Sequence, residues 1–457
     1  MDINELQQQY RTGERTPAET VTEVFDHIET DETNAWISVR PESAVRSDAK
    51  NLASPAEQPL YGVPFAVKDN IDCAGMDTTA GCPAYAYEAE ADATVVSKLV
   101  DAGALLIGKT NLDQFASGLV GTRTPYGVCR NVHNTEYISG GSSSGSAVAV
   151  GQGHVAFALG TDTAGSGRIP AAFNGLVGLK PTRGMVSTTG VVPACESLDC
   201  VAIFAHSCRD ALRVEEVAAG FDPADPYSRR ELSLTTTEGE RTGSELSKLT
   251  VGVPDPTALE FFGDDEAEAL YRDTVETVRR AVGDVVTVDF EVFTKTAELL
   301  YGGPWVAERL SAVETFVSEQ PETIHPVVRE ILTGGREYSA TQTFDSLHTL
   351  KRLKRRREKL FATHDLDLLA TPTAGTIYTI EEVLEKPIKR NSTLGYYTDY
   401  VNLLDLAAVA IPTGEFDAGP GFGLTLLGEA GRDRFLATVG DKLTSATANT
   451  GKPAAHQ

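Results

Sequence analysis

Three short segments of this 457-residue chain carry side chains that together can perform acyl transfer: an isolated lysine, Lys68, in GVPFAVKDN; a serine cluster, GGSSSGS, at 140–146; and a second glycine- and serine-rich stretch, GTDTAGSGRIPA, at 160–171. A serine hydroxyl attacks a carbonyl only when a base takes its proton, and the usual base is histidine. None of the three segments contains one. Of the eight histidines, His133 and His154 flank the first cluster and are expected to serve packing or the surface. Lysine can replace histidine only as the neutral amine, which needs burial or a cationic neighbour to bring its pKa down from about 10.4. Lys68 has that setting, because it follows an apolar run over 63–67 that predicts a buried strand.

In Thr163-Ala164-Gly165-Ser166-Gly167 small residues let the backbone approach a bound carbonyl, and successive N–H groups can point at one oxygen. Ser166 sits where that turn feeds RIPAAF. A hydroxyl of the first cluster, which runs into a small-residue helix, can relay a proton between Ser166 and Lys68. The combination is the kit of a Ser-Ser-Lys hydrolase. Gly141 to Gly145 also matches G-x-S-x-G, which would make Ser143 the nucleophile on a strand-to-helix elbow. The preceding RNVHNTEYIS is polar and turn-like, so it offers no buried strand and the match is read as coincidence.

This ordered set resembles the amidase signature family over nearly the whole chain. The resemblance implies that Lys68 is the base, Ser142 the bridging serine and Ser166 the nucleophile. It also implies that the backbone N–H groups of Thr163, Ala164, Gly165 and Ser166 form the oxyanion hole. Ala164 stands where glycine is more usual, which still allows backbone donation. No cofactor and no metal are expected.

Two features narrow the substrate. Tyr301 and Arg309 lie in LLYGGPWVAERLSAV, close to two helical turns apart if the helix continues past Gly302-Gly303-Pro304. An arginine fork binds a carboxylate through two charge-assisted hydrogen bonds, and a tyrosine hydroxyl can add a third. In addition, DQFASGLVGTRTPYG, VVPACESLDCVAIFA, LYGGPWVAERL and YYTDYVNLLDLAAVAIPTG resemble the allophanate hydrolase branch of the family. That resemblance implies that Tyr301 and Arg309 hold a carboxylate, with the main chain of Gly118 and Gly121 lining the pocket. It further implies a small substrate bearing a carboxylate and an amide, and a homodimer. Two alternatives stay open. One is the amidase component of a glutamyl-tRNA amidotransferase, in which a pattern like FASSLDQ replaces the PACESLDC found here at 193–200. The other is a broad-specificity amidase.

The elements that must position these residues alternate. Helices are predicted within 3–30 and at ATVVSKLVDAG, and strands at ALLIGK and VAFALGTD, the latter delivering the nucleophile loop. The pattern turns helical and charged from Cys208 to about Leu350, with an exposed loop at 238–244. Strands return at LTVGVPD, DLDLLATP and FGLTLLG. The expected fold is α/β: a mixed β-sheet core covered by helices, with a helical insertion in the second half. One catalytic domain over 1–445 is expected, then a disordered tail at 446–457 and no extra C-terminal domain. The net charge of −25, with arginines outnumbering lysines, resembles proteins of high-salt cytoplasm and argues against nucleic-acid binding. The basic run KRLKRRREK at 351–359 is expected to be a solvated helix face. No apolar run is long enough for a membrane, a cytoplasmic location is expected, and the six cysteines lack metal-site spacing, so free buried thiols are predicted.

Overall fold

The structure is a computed structural model in which residues 1–232, 243 and 245–448 are described. Its centre is a mixed sheet, with eleven strands among the described residues. Across the sheet the strands run Trp36–Val39, Leu105–Thr110, Pro64–Lys68, Phe157–Thr161, Val201–Ala205, Val177–Lys180, Leu406–Glu415, Gly421–Glu429, Leu368–Pro372, Thr250–Pro254 and Asp284–Val288. This agrees with the expected mixed sheet covered by helices.

Pro64–Lys68 lies between two parallel neighbours, Leu105–Thr110 and Phe157–Thr161. All three strands are buried along their whole length; each begins in an apolar run and ends in polar residues, Lys68, Lys109-Thr110 and Thr161. The register pairs Phe65 with Phe157, whose rings stack at 5.1 Å, and Val67 with Leu159. Lys68 and Thr161 therefore leave the sheet at the same carboxyl edge. Open α/β sheets place their ligand sites at that edge.

Two short helices follow from glycine. The helix Ser144–Gly151, built of SGSAVAVG, packs so closely that a Cβ on Gly145 would stand 2.1 Å from the Ala35 carbonyl oxygen. Gly165, at φ 137°, turns the chain into the helix Arg168–Phe173, and a Cβ there would meet the Thr398 hydroxyl at 2.4 Å. Arg168 donates to both oxygens of Asp162, at 2.8 and 2.9 Å, and both side chains are fully buried. This pair closes the loop between strand and helix. Removing one partner of such a pair costs about 3–5 kcal/mol.

The predicted N-terminal helices form at Ile3–Thr12 and Pro17–Glu29, the second with a Thr16/Glu19 capping box. The second half of the chain carries the helices Asp265–Ala281, Glu291–Tyr301, Trp305–Glu319, Pro326–Gly334 and Ala340–Thr363. The strand Asp284–Val288 interrupts this helical stretch; its mixed burial reflects its place at the sheet edge, where alternating polarity is weak. The basic run falls on Ala340–Thr363, but it is not wholly solvated. Arg357 is buried and donates to Glu429 at 2.6 Å and to the Leu404 carbonyl at 3.2 Å, because helical periodicity turns it to the face that also carries Leu350, Leu353 and Phe361. All six cysteines are buried free thiols, and no described helix is long and apolar enough to cross a membrane. The loop expected at 238–244, Gly243 apart, lies outside the described residues; of the tail expected to be disordered at 446–457, residues 446–448 continue the helix Asp433–Ala448 and the rest lies outside the described residues.

Candidate active site

Lys68 is fully buried at the end of its strand. Its Nζ donates to Ser142 Oγ at 2.8 Å and to Thr161 Oγ1 at 2.6 Å. Burial brings the amine down to about 7; Asp113, Asp199 and Asp162 pull the other way, and Arg309 adds to the lowering. A lysine in this environment supplies a neutral amine near neutral pH.

Ser142 follows a cis peptide bond from Gly141, and its carbonyl accepts the Asp113 N–H at 3.1 Å. Ser143 is occupied elsewhere: its hydroxyl donates to the Thr161 carbonyl at 3.0 Å and accepts the Thr161 N–H at 3.2 Å. That bonding ties Ser143 to the sheet and removes it as a free nucleophile. The flanking histidines are also remote. His154 accepts from Trp36 Nε1 at 3.3 Å, and His133 packs beside Gly175.

Ser166 is buried, and its hydroxyl donates to the Gly118 carbonyl at 3.4 Å. The structure thus joins Lys68 to Ser142 directly, whereas Ser166 has its bond to the strap around Gly118. Asp113 connects the two. Its carboxylate accepts the N–H groups of Val120, Gly121 and Arg123 at 3.1, 3.0 and 2.9 Å. A Cβ on Gly118 or on Gly141 would fall 2.4 or 2.2 Å from its Oδ2. Both glycines must lack a side chain for the strap and the Ser142 turn to close over one carboxylate. Of the two glycines expected to line the pocket, Gly118 reaches Ser166. Gly121 has its N–H bonded to Asp113 and its carbonyl to the Cys129 N–H.

The loop 163–166 is held from outside by its other groups. Asn402 Nδ2 donates to the carbonyls of Asp162 and Thr163 at 2.6 and 3.1 Å, and the Thr163 hydroxyl donates to Asp199 at 2.5 Å. Among the described residues no protein acceptor takes the N–H of Thr163, Ala164, Gly165 or Ser166. A fixed loop with several unengaged N–H groups beside a serine hydroxyl is suited to hold a negative oxygen.

Tyr301 and Arg309 come together, but not along one continuous helix. Gly302-Gly303-Pro304 ends the helix Glu291–Tyr301 and starts Trp305–Glu319, because Pro304 offers no N–H to continue the ladder. The pairing is made across this corner, with the guanidinium carbon 5.0 Å from the Tyr301 ring centre. Arg309 is 1% exposed, and none of its three guanidinium nitrogens has a hydrogen-bond partner. Its acidic neighbours Asp199 and Asp399 make no hydrogen bond to it. Burial pushes Asp199 up and Asp399 well up from the carboxylate range. A buried cation in this state is a site for an anion with two or more acceptor oxygens.

Sequence reasoning missed Thr161, Asp113 and Asp399. Thr161 carries a signal, since it ends the strand predicted to deliver the nucleophile loop, and the structure sets that strand beside Pro64–Lys68. Asp113 stands in the quoted run DQFASGLVGTRTPYG, yet nothing local marks its convergence on both the 118–123 strap and the Ser142 turn.

The profile of the Amidase family matches residues 19–436. The urea amidolyase of Saccharomyces cerevisiae is 42% identical over 415 residues, which cover 90% of this chain and 22% of that protein. The chain therefore spans about a fifth of that relative's length. The structure of Kluyveromyces lactis allophanate hydrolase is similar over 100% of this chain and 74% of that one, with a TM-score of 0.89 and 38% identity. A glutamyl-tRNA(Gln) amidotransferase component from Natronomonas pharaonis is 33% identical over 84% of this chain and 96% of its own length. With the site geometry, these likenesses establish that the chain belongs to the Amidase family, hydrolases of amide C–N bonds.

Proposed function

We propose that the chain hydrolyses allophanate in urea breakdown, with Lys68, Ser142 and Ser166 as the catalytic residues. Ser166 Oγ attacks the terminal amide carbonyl while its proton passes through Ser142 to the neutral Lys68 amine. The N–H groups of Thr163, Ala164, Gly165 and Ser166 hold the oxyanion. As the C–N bond breaks, the proton returns by the same route to the departing nitrogen, and ammonia leaves. Water then enters by the same acid-base path, the Ser166 ester opens, and N-carboxycarbamate departs to decompose to carbon dioxide and ammonia.

The observation that carries the substrate choice is Arg309, buried beside Tyr301 with all three nitrogens unpartnered. The carboxylate of allophanate supplies the missing acceptors. The likeness to urea amidolyase and to allophanate hydrolase supports the same reading. Glutamine also carries a carboxylate, and the amidotransferase components are relatives too, so the test is direct competition. Purified protein is given allophanate, glutamine and an uncharged amide, and ammonia release is measured. Preference for allophanate by kcat/KM is expected; preference for glutamine refutes the assignment.

We propose also that the surface, at net charge −25, suits a cytoplasm of concentrated salt. The unfolding temperature is then expected to rise steadily with added potassium chloride. Full stability in dilute buffer contradicts this.

A further inference from the structure

A cavity of about 310 Å³ opens between the helices Trp305–Glu319, Pro326–Gly334 and Pro387–Leu394. That volume lies within the range of small-molecule sites, about 300–1,000 Å³. Its lining changes character with depth. Glu330, Glu337 and Ile388 stand exposed at the mouth, while Arg123 and Asn391 are buried and Tyr301 half-buried below them.

Each of these deeper residues touches the candidate active site. The Tyr301 ring carries the Arg309 guanidinium at 5.0 Å. Val306 in the cavity wall lies one turn before Arg309 on the same helix, so the two share a face. Arg123 Nη1 donates to the Ser117 carbonyl at 2.7 Å, and Asn391 Oδ1 accepts the Leu119 N–H at 2.7 Å. These bonds grip both neighbours of Gly118, whose carbonyl accepts from Ser166. The cavity floor is thus built from the tyrosine beside Arg309 and from residues that hold the strap touching the nucleophile.

We propose that this cavity is the access route and outer pocket of the active site. Arg123 and Asn391 act as positioning residues for the Gly118 strap. The charges are arranged in depth: Arg123 has an unpartnered Nε, and beyond it lies Arg309, whereas Glu330 and Glu337 make no ion pair among the described residues. An anion meets an acidic mouth before it reaches the buried cations. The mouth therefore slows anionic substrates in dilute buffer and stops doing so when salt shortens the screening length to about 3 Å at 1 M.

The test blocks the route without touching the chemistry. Gly334 has helical dihedrals, and a Cβ built on it meets nothing within 4 Å, so Gly334→Trp puts an indole into open space. Ile388→Trp narrows the mouth from the opposite wall. The readout is inactivation by phenylmethanesulfonyl fluoride, a neutral reagent: the serine oxygen bonds to sulfur, fluoride leaves, and the proton goes to the base. With unchanged thermal unfolding, both variants are expected to be inactivated about tenfold more slowly than the parent. An unchanged rate in both variants overturns the route.

A second arm rests on the proposed carboxylate-bearing substrate. The double variant Glu330→Gln/Glu337→Gln should raise kcat/KM for allophanate about three- to tenfold in dilute buffer, with the gain gone at about 1 M salt and sulfonyl fluoride inactivation unaltered. No gain in dilute buffer, or a gain that survives high salt, overturns the acidic mouth. The inactivation arm needs no amide substrate, so it stands or falls apart from the allophanate assignment.

Discussion

The two halves of the site are built on opposite principles. On the sheet side, Lys68, Ser142, Thr161, Asp113 and Asp162 all hold hydrogen-bond partners within the protein, distant ones for Lys68 and nearby ones for the carboxylates of Asp113 and Asp162. On the helical side, Arg309 is as deeply buried and has no partner for any nitrogen. The first half is complete as it stands; on the proposed reading, the second is completed by the carboxylate of the substrate. On that reading, the difference separates the residues that set rate from those that set selectivity. Chemistry that must proceed identically on every turnover benefits from fixed geometry. A reader of charge benefits from a group that is costly to leave alone, because the correct anion then relieves the cost and a neutral compound does not.

Substitutions at four positions test that division. The largest effect is expected from Ser166→Ala, which should lower kcat by at least about 10⁴-fold while thermal unfolding stays unchanged, since the loop shape depends on Gly165 and the Asp162–Arg168 pair rather than on the hydroxyl. Retained turnover would place the nucleophile elsewhere.

Next comes the base. The Lys68 amine lies near 7, and only its neutral form accepts a proton, so kcat/KM should rise with pH through about 7 and level off above it. Lys68→Arg should fall about 10³-fold or more, because a guanidinium keeps its proton at every usable pH. A flat pH profile, or an active arginine variant, excludes lysine as the base.

Arg309→Gln should lose about 30- to 1000-fold in kcat/KM for allophanate and almost nothing for an uncharged amide, with Arg309→Lys recovering part of the loss. Its stability readout runs against intuition. Removing an unpartnered buried cation should raise the unfolding temperature of the unliganded protein. Equal losses on both substrates with a lowered unfolding temperature would turn Arg309 into a structural residue and erase the contrast.

The smallest effect is expected from Thr161→Val. It removes one acceptor from Lys68 Nζ, which favours the charged amine, so the apparent pKa in the rate profile should move below that of the parent, with about a tenfold loss of kcat. An upward move would mean that the hydroxyl is not accepting from the amine.

The catalytic half was readable in the chain because its signals are local. A lysine after five apolar residues, a cluster of small residues before a helix, and a glycine next to a serine each declare their environment within a few positions. The substrate half was readable only in part. Tyr301 and Arg309 were singled out together, but whether the helix continued between them stayed open; Pro304 starts a new helix and the contact is made across a corner.

Residue type and the neighbouring backbone were set by the sequence alone: the strand under Lys68, the glycine turn at Gly165 and the apolar period of the covering helices. Whether a polar group finds a partner was decided by tertiary structure. Thr161 reaches Lys68 from 93 residues away, and Gly118 reaches Ser166 from 48. Arg357, in a run of charges that looked wholly solvated, was drawn inward to Glu429, while Arg309 was buried with nothing. These outcomes depend on which segments the eleven-stranded sheet brings side by side, and chain-distant register leaves no mark in the local pattern of either partner.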